Sequence, residues 1–297
     1  MLRSNENAAI VVTGSSGFIG RHAADRLSLR APVFIDREAP DAPASHRTEL
    51  VDLCNPEELG VLRNGHGAVR LLHLAAEAEV VIPWRRVGDV VRSNEIGTHN
   101  ALSVFKPDLT VFASTSAIYG NAGIDGTAPS LETVKPLGLY GASKFVGEVM
   151  LRDWARETGR SAVAFRLGNV VGPRCRGLIP YLVNHARAFP DGAVPARMRG
   201  FGGLVRDYVP VSYIVGVFAE ALDMDWPRGS FNVFNAGTGR GMSNRQVAGI
   251  VHDALSKRNI ALNIAWEDPV APGDAESVVL DVEETARRFS LAIPSED

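Results

Sequence analysis

The chain is predicted to fold as an α/β protein on a doubly wound parallel sheet, with a smaller α/β lobe formed mainly by its C-terminal part. Three observations carry this expectation. Short apolar runs alternate with helical patterns through about the first 170 residues. A glycine-rich turn, Thr13-Gly14-Ser15-Ser16-Gly17-Phe18-Ile19-Gly20, joins the first apolar run to the first helical pattern. Beyond Pro173 the segments shorten and are broken by Pro180, Pro190, Pro195, Gly200, Gly202 and Gly203.

Taken in order, residues 8–13 read as a strand because Ala8, Ala9, Ile10, Val11 and Val12 form the unbroken apolar run of a strand covered on both faces. In the turn that follows, Gly14 permits a tight strand-to-helix reversal and Gly17 lets the backbone approach a ligand. Gly20 lets the helix over 18–30, which opens with Phe18 and Ile19, pack closely on the strand. The free amides and positive dipole end of that helix suit the pyrophosphate of a dinucleotide. The next strand, 32–36, ends in Asp36, at the distance onward where a carboxylate meets the adenosine ribose hydroxyls and repels a 2′-phosphate, which favours NAD over NADP. Arg37 is the opposing signal, because a guanidinium at this strand end pairs with that phosphate. A weaker strand is expected near 48–52. Asn55 then reads as an N-cap before Pro56, with Glu57 and Glu58 in the first turn of a helix over 56–63. Further strands are expected at 68–74, 109–114 and 162–167, and helices at 86–106 and 139–159. Residues 14–20, Asp36, Ala75, Ala76, Ser114 and Thr115 all fall at strand carboxyl ends, where open sheets of this type bind ligands. The expected division is a dinucleotide-binding unit over 1–173 and a mainly substrate-binding lobe over 174–297, with part of the chain returning to the larger unit.

Composition narrows the partners. With 45% hydrophobic and 22% charged residues in 297, the chain buries a large core, and disorder is excluded. A formal charge of −3 gives no bulk attraction for nucleic acid or an anionic membrane, so phosphate binding must be local and the ligand small. Cys54 and Cys175 lie far apart, without metal-ligand spacing, and read as buried small apolar side chains. No metal site is expected. The absence of an apolar leader and of any 18-residue apolar run points to the cytoplasm.

Tyr140 and Lys144 stand four residues apart, which places a phenol and an ammonium on one helix face. A tyrosine with its ordinary pKa near 10 is a poor base at neutral pH. A neighbouring Lys cation, aided by the positive nicotinamide of an oxidised cofactor, favours the phenolate and brings it into catalytic range.

These stretches, taken together, resemble the extended short-chain dehydrogenase/reductase superfamily, in its sugar-nucleotide epimerase/dehydratase branch. The likeness runs from Gly14 to about Asp281. Besides 13–20 and Asp36, it rests on Asp52-Leu53, His73-Leu74-Ala75-Ala76, Asn94, Gly97-Thr98 and residues 113–120. Tyr140 to Lys144 follows, then Arg166 to Pro173, Arg206-Asp207-Tyr208-Val209 and Pro272-Gly273-Asp274.

The resemblance implies a Rossmann-type fold, NAD as cofactor and a nucleotide sugar as substrate. It implies that Tyr140 is the acid/base at the sugar C4 hydroxyl, that Lys144 binds the nicotinamide ribose, and that Thr115 bonds the sugar oxygen. It further implies that Asp52 and Leu53 flank the adenine, Ala75 and Ala76 line the cofactor groove, and Asn94 supports the active-site helix. Asn169 and Arg206 would hold the substrate's phosphate end. His73 reads as a structural strand residue, because no acidic partner or second His is spaced to serve it. Tyr119 either touches the sugar or packs at a strand-end turn, and Arg206-Asp207 is alternatively a local ion pair. Families of this type dimerise through the helices carrying Asn94 and Tyr140, so a homodimer is expected, with Val90, Val91, Leu102, Phe105, Phe145, Val149 and Trp154 as mixed core and interface positions.

Departures from the pattern narrow the reaction. The 4,6-dehydratases of the branch carry an Asp-Glu pair where Ser116 and Ala117 stand, so that elimination lacks its proton carriers, and glucuronate decarboxylases carry a Glu at Ala117, which argues against decarboxylation as well. Ala271 replaces an Arg that grips the diphosphate in epimerases. Pro210, Tyr213 and Gly177 stand where the family has His, Asp and Asn. Arg174, Arg176, Arg197 and Arg199 are the available substitutes for the missing cation. Small residues at Ala78, Ala117 and Gly168 are compatible with room for a sugar to turn. The expected activity is NAD-dependent 4-epimerisation of a nucleotide sugar through a 4-keto intermediate. The alternative is an NAD(P)-dependent 4-ketoreductase or dehydrogenase of a deoxysugar or a non-nucleotide substrate.

Overall fold

The computed structural model describes residues 8–40, 46–63, 67–127, 133–267 and 275–294. Its first half follows the expected alternation. Strand β1 (Ala9–Thr13) leads through the glycine turn into α1 (Phe18–Leu27), and β2 (Val33–Asp36) and β3 (Thr48–Leu50) follow. Helix α2 (Pro56–Arg63) starts where the sequence places it: the Asn55 side chain accepts the Glu58 N–H and donates to the Glu58 carboxylate, with Pro56 at the first helical position. Then come β4 (Val69–His73), α3 (Val87–Val90), a wide π turn over Val91–Ile96, and α4 (Gly97–Phe105). Strand β5 (Leu109–Thr115), β6 (Gly123–Thr127), α5 (Leu139–Thr158) and β7 (Ser161–Leu167) complete this half. Gly159 ends α5 in the left-handed conformation that favours glycine, at φ 66°.

The second half contains β8 (Asn169–Val171), α6 (Leu178–Ala188), β9 (Ala196–Arg199), β10 (Val205–Pro210) and α7 (Val211–Asp223). It continues with β11 (Phe231–Ala236), β12 (Gly241–Ser243), α8 (Asn244–Ser256), β13 (Ile264–Glu267), β14 (Ser277–Leu280) and α9 (Glu283–Arg288). Helix α8 opens on a capping box, Ser243 to Gln246, whose Ser-x-x-Gln spacing was legible in the sequence.

The main sheet is parallel, in the order β11-β7-β5-β4-β1-β2-β3. The strand order reverses between β1 and β4, and that switch point opens a crevice at the carboxyl ends. Helices α1 and α7 cover one face through Ala23, Ala24, Leu27, Val217 and Phe218. On the other face lie α2, α4 and α5, through Leu59, Leu102, Phe105 and Leu151. The boundary expected at residue 173 is crossed in both directions: β11 adds the seventh strand of the main sheet, while β6 and β8 from the first half join the second sheet, of order β12-β10-β14-β6 with β8 beside β10. Helices α6 and α8 pack with β9 and β13 around Leu182, Ala186, Ala248 and Leu262 as the small lobe's core. Among the described residues no helix is long and apolar enough to cross a membrane.

Candidate active site

A cleft of about 870 Å³ lies over the switch point, lined by the glycine turn, Asp36, Arg37, Asp52, Leu53, Ala75 and Ala76 on one side and by Asn169, Arg176 and Tyr208 on the other. The glycine turn has the shape an anion needs. Gly14 adopts φ +74°, and a Cβ there would stand 2.6 Å from the Ala75 nitrogen; one at Gly20 would stand 2.1 Å from the Gly14 oxygen. Both positions therefore exclude a side chain. At Gly17 the nearest protein atom to such a Cβ is the Gly14 oxygen at 3.3 Å, and the residue faces the cleft. Phe18 and Ile19 line the cleft while packing on the core. The Asp36 carboxylate accepts the Ser16 N–H at 2.9 Å, which locks the turn against the end of β2. Leu53 is buried against the helix start at Gly97, and Asp52 folds its carboxylate back on the Cys54 N–H at 2.9 Å.

The three side chains expected to carry the chemistry stand outside the cleft lining, at the end of β5 and on the first turns of α5. The Tyr140 hydroxyl hydrogen-bonds Thr115 at the end of β5, and Thr115 Oγ1 also accepts the Ala117 N–H at 3.1 Å. One turn further along α5, Lys144 is buried with its Nζ 4.4 Å from the centre of the Phe112 ring. Burial lowers Lys144 to about 7, partly opposed by Glu148. Tyr140 moves the other way. Burial pushes its phenol above 10, against the weaker downward pull of the Thr115 bond, so the protein alone does not prepare a phenolate.

Asn94 stands in the π turn, a helical irregularity frequent at functional sites. It is buried and outside the cleft lining. Its Oδ1 accepts the Glu77 N–H at 2.7 Å, and its Nδ2 donates to the Glu77 carbonyl at 3.1 Å and to Ser143 at 2.9 Å. Asn94 thus fastens the loop after β4 to the residue preceding Lys144 rather than facing the cleft.

His73 is buried between Thr13, 2.7 Å from Nδ1, and Thr98, 2.9 Å from Nε2. The Thr98 hydroxyl donates to the Asn94 carbonyl at 2.6 Å, so it accepts from Nε2–H, and Nδ1 accepts from Thr13. Burial and the Lys144 charge lower His73 from 6.5 to about 3. Because the folded value lies below the unfolded one, its contribution to stability is complete above pH 6.5 and is lost as pH falls towards 3. The expected result is that His73→Gln flattens the fall in unfolding free energy between pH 7 and pH 4. Denaturant titrations at each pH check this, and equal slopes in both proteins would overturn it.

The fold gives several of the other residues contacts of their own. Tyr119 is buried, donates to Asn235 Oδ1 at 2.5 Å and accepts from Arg166 at 3.1 Å, so it packs instead of meeting a ligand. Arg206 stands outside the cleft lining and donates to the backbone carbonyls of Val205, Ala275 and Glu276. Asp207 turns away to accept from Thr238 and Gly239, so the two make separate contacts. Gly168 is small because a Cβ would stand 2.7 Å from the Asp207 carbonyl, a packing demand unrelated to room for a sugar. Cys54 and Cys175 are free, half-buried and part of the cleft lining. Of the four substitute arginines, Arg176 lines the cleft, whereas Arg197 pairs with Glu267 at 3.1 Å. Ala271 and the Pro272-Gly273-Asp274 stretch lie outside the described residues. Val90, Leu102 and Phe105 face the core, while Ile96 in the π turn and Val146 on α5 are exposed. Among the described residues no three His, Cys, Asp or Glu side chains are placed to hold a metal ion.

Two acids went unnoticed in the sequence. Glu148 sits one turn beyond Lys144, a spacing that was available as a signal. It forms a buried pair with Arg166, at 3.0 Å to Nε and 2.8 Å to Nη2, and accepts the Ser114 hydroxyl at 2.5 Å. Glu77, directly after Ala75-Ala76, binds both Arg37 and Arg86.

The model of the NAD dependent epimerase/dehydratase family matches residues 10–237, a span that holds the glycine turn, Thr115, Tyr140 and Lys144. The chain belongs to this family. A UDP-glucose 4-epimerase of Azospirillum brasilense is 30% identical over 271 residues, covering 80% of this chain and 75% of that protein. The structure of the Thermus thermophilus UDP-glucose 4-epimerase in complex with NAD superposes with a TM-score of 0.79 at 28% identity, over 94% of this chain and 92% of that one. That of MoeE5 in complex with UDP-glucuronic acid and NAD superposes with a TM-score of 0.84 at 25% identity, over 97% and 94%. Membership accounts for the fold and the dinucleotide cradle, and it leaves the substrate end, where this chain departs from the family pattern, to its own residues.

Proposed function

We propose that this protein is an NAD-dependent epimerase of a nucleotide sugar, acting at C4 through a 4-keto intermediate. The observation that carries this reading is the Tyr140–Thr115 hydrogen bond at the end of β5, with Lys144 one turn behind it and the glycine cradle after β1, two strands across the same sheet. NAD, when bound, supplies the acceptance and return of hydride. Gly14, Gly17 and Gly20 would hold its pyrophosphate and Asp36 its adenosine ribose, with Asp52, Leu53, Ala75 and Ala76 around the groove. Tyr140 takes the proton from the sugar hydroxyl and returns it, Thr115 orients the oxygen, and Lys144 binds the nicotinamide ribose and supplies positive charge beside the phenol. Asn169 and Arg176, both lining the cleft, hold the phosphate end in place of the family's missing arginine, while Arg206 braces the segment at Ala275.

Purified protein incubated with UDP-, dTDP-, GDP- and CDP-sugars tests the reading. An epimer mixture formed without added cofactor, from protein that carries NAD, is expected. Stoichiometric consumption of reduced cofactor would replace the epimerase with the reductase alternative, and protein that binds no dinucleotide would overturn both. The exposed Ile96 and Val146 on the helices carrying Asn94 and Tyr140 support pairing of two copies through this face. Light scattering at high-micromolar concentration should then give twice the chain mass, and a monomer would sink the pairing.

A further inference from the structure

At the adenosine end of the cleft the chain carries two contradictory signals. Asp36 disfavours a 2′-phosphate, while Arg37, the next residue and part of the same lining, is the type of group that binds one. The fold resolves the conflict through a residue 40 positions away. Arg37 Nη2 donates to Glu77 Oε1 at 2.6 Å, and Arg37 Nε lies 3.4 Å from the exposed Glu38 carboxylate. Glu77 is itself held from three sides. Its N–H and carbonyl are both bonded to the buried Asn94 amide, at 2.7 and 3.1 Å, and its second carboxylate oxygen accepts from Arg86. Arg86 is in turn anchored by Glu79 at 2.8 Å. The Glu77 side chain is 10% exposed against 49% for Arg37, so the fixed partner is the acid and the tethered one is the arginine.

We infer that Glu77 is a specificity residue for the cofactor: by engaging the Arg37 guanidinium it keeps that cation from serving a 2′-phosphate, and so reinforces the preference for NAD over NADP that Asp36 begins. The inference rests on the proposed dinucleotide role of the cleft. It differs from a general electrostatic effect, because it assigns the discrimination to one pair. Loss of the Glu77 charge leaves Arg86 to Glu79 and Asp89, whereas Arg37 keeps, among the described residues, Glu38 at the surface. Neither backbone bond to Asn94 involves the Glu77 side chain, so Glu77→Gln preserves the loop.

The test is calorimetric titration of the full chain, freed of bound nucleotide, with NAD and with NADP. For Glu77→Gln the ratio of NADP to NAD affinity is expected to rise at least about five-fold, as befits one additional charge-assisted hydrogen bond to the 2′-phosphate. Arg37→Ala in that background is expected to abolish the rise. A separate arm uses Arg37→Ala alone, an exposed substitution that does not challenge folding. It should leave NADP affinity within about two-fold of the parent, since an engaged guanidinium contributes little to a phosphate. An unchanged ratio in folded Glu77→Gln, a rise that survives removal of Arg37, or a loss of NADP affinity of about five-fold or more in Arg37→Ala alone would each overturn the inference. A parent protein that binds neither dinucleotide is a different result, which sinks the proposed function itself.

Discussion

Tyr140→Phe is expected to lower turnover by roughly 10² or more, the range for losing a positioned acid/base. The substitution removes one oxygen and leaves the ring, so packing against the start of α5 and the dinucleotide cradle on the other side of the cleft stay intact. The hydroxyl bonds Thr115, which retains the Ala117 N–H as a partner. The loss should therefore fall on turnover and not on NAD binding. Initial rates on the sugar identified from the nucleotide-sugar panel, with NAD titration and circular dichroism as controls, check the result. A folded variant with near-normal turnover would refute the assigned role. Burial raises the Tyr140 phenol, so it takes positive charge beside it to draw the group towards its reactive form.

Glu148→Ala is expected to lower the unfolding free energy by about 3–5 kcal/mol, the cost of leaving one member of a buried ion pair without its partner. Arg166 is the largest fully buried side chain, and Glu148 satisfies two of its nitrogens while also accepting from Ser114. The pair joins α5 to β5 and β7, and Tyr119 extends it to Asn235, which donates to the Thr127 and Asp281 carbonyls. Breaking it loosens the contact between the main sheet and the second sheet as well as the helix that carries Tyr140 and Lys144. Against a total stability of about 5–15 kcal/mol for a typical protein, such a loss is large. Urea unfolding followed by circular dichroism measures it. A loss below about 1 kcal/mol, the level of an exposed pair, would show that Arg166 finds other partners.

The main sheet was legible because its strands are covered on both faces, which forces continuous apolar runs such as Ile10, Val11 and Val12 in β1. The π turn inside the helical segment 86–106 was not, since it answers to the Asn94 contacts with Glu77 and Ser143 across the fold and leaves no local pattern. Strand β6, with Gly123 and Gly126 both at positive φ, has poor strand composition and forms because β14 lies beside it. The same is true of β8, a three-residue strand completed by β10.

By itself the sequence determined what depends on near neighbours. The glycine turn, the Asn55 cap, and the placement of Tyr140 and Lys144 on one helix face follow from backbone sterics and helical period over fewer than ten residues. Only the tertiary structure decided which charged groups meet and what burial does to them. Arg37 is engaged by Glu77 and Arg166 by Glu148, while Arg206 turns to the backbone at Ala275 and Glu276. Lys144 and Tyr140 are moved in opposite directions on the pKa scale by one cause, desolvation, which penalises a cation when protonated and a phenol when ionised. Partner choice and solvent exposure are set by elements distant in the chain, and no local spacing encodes them.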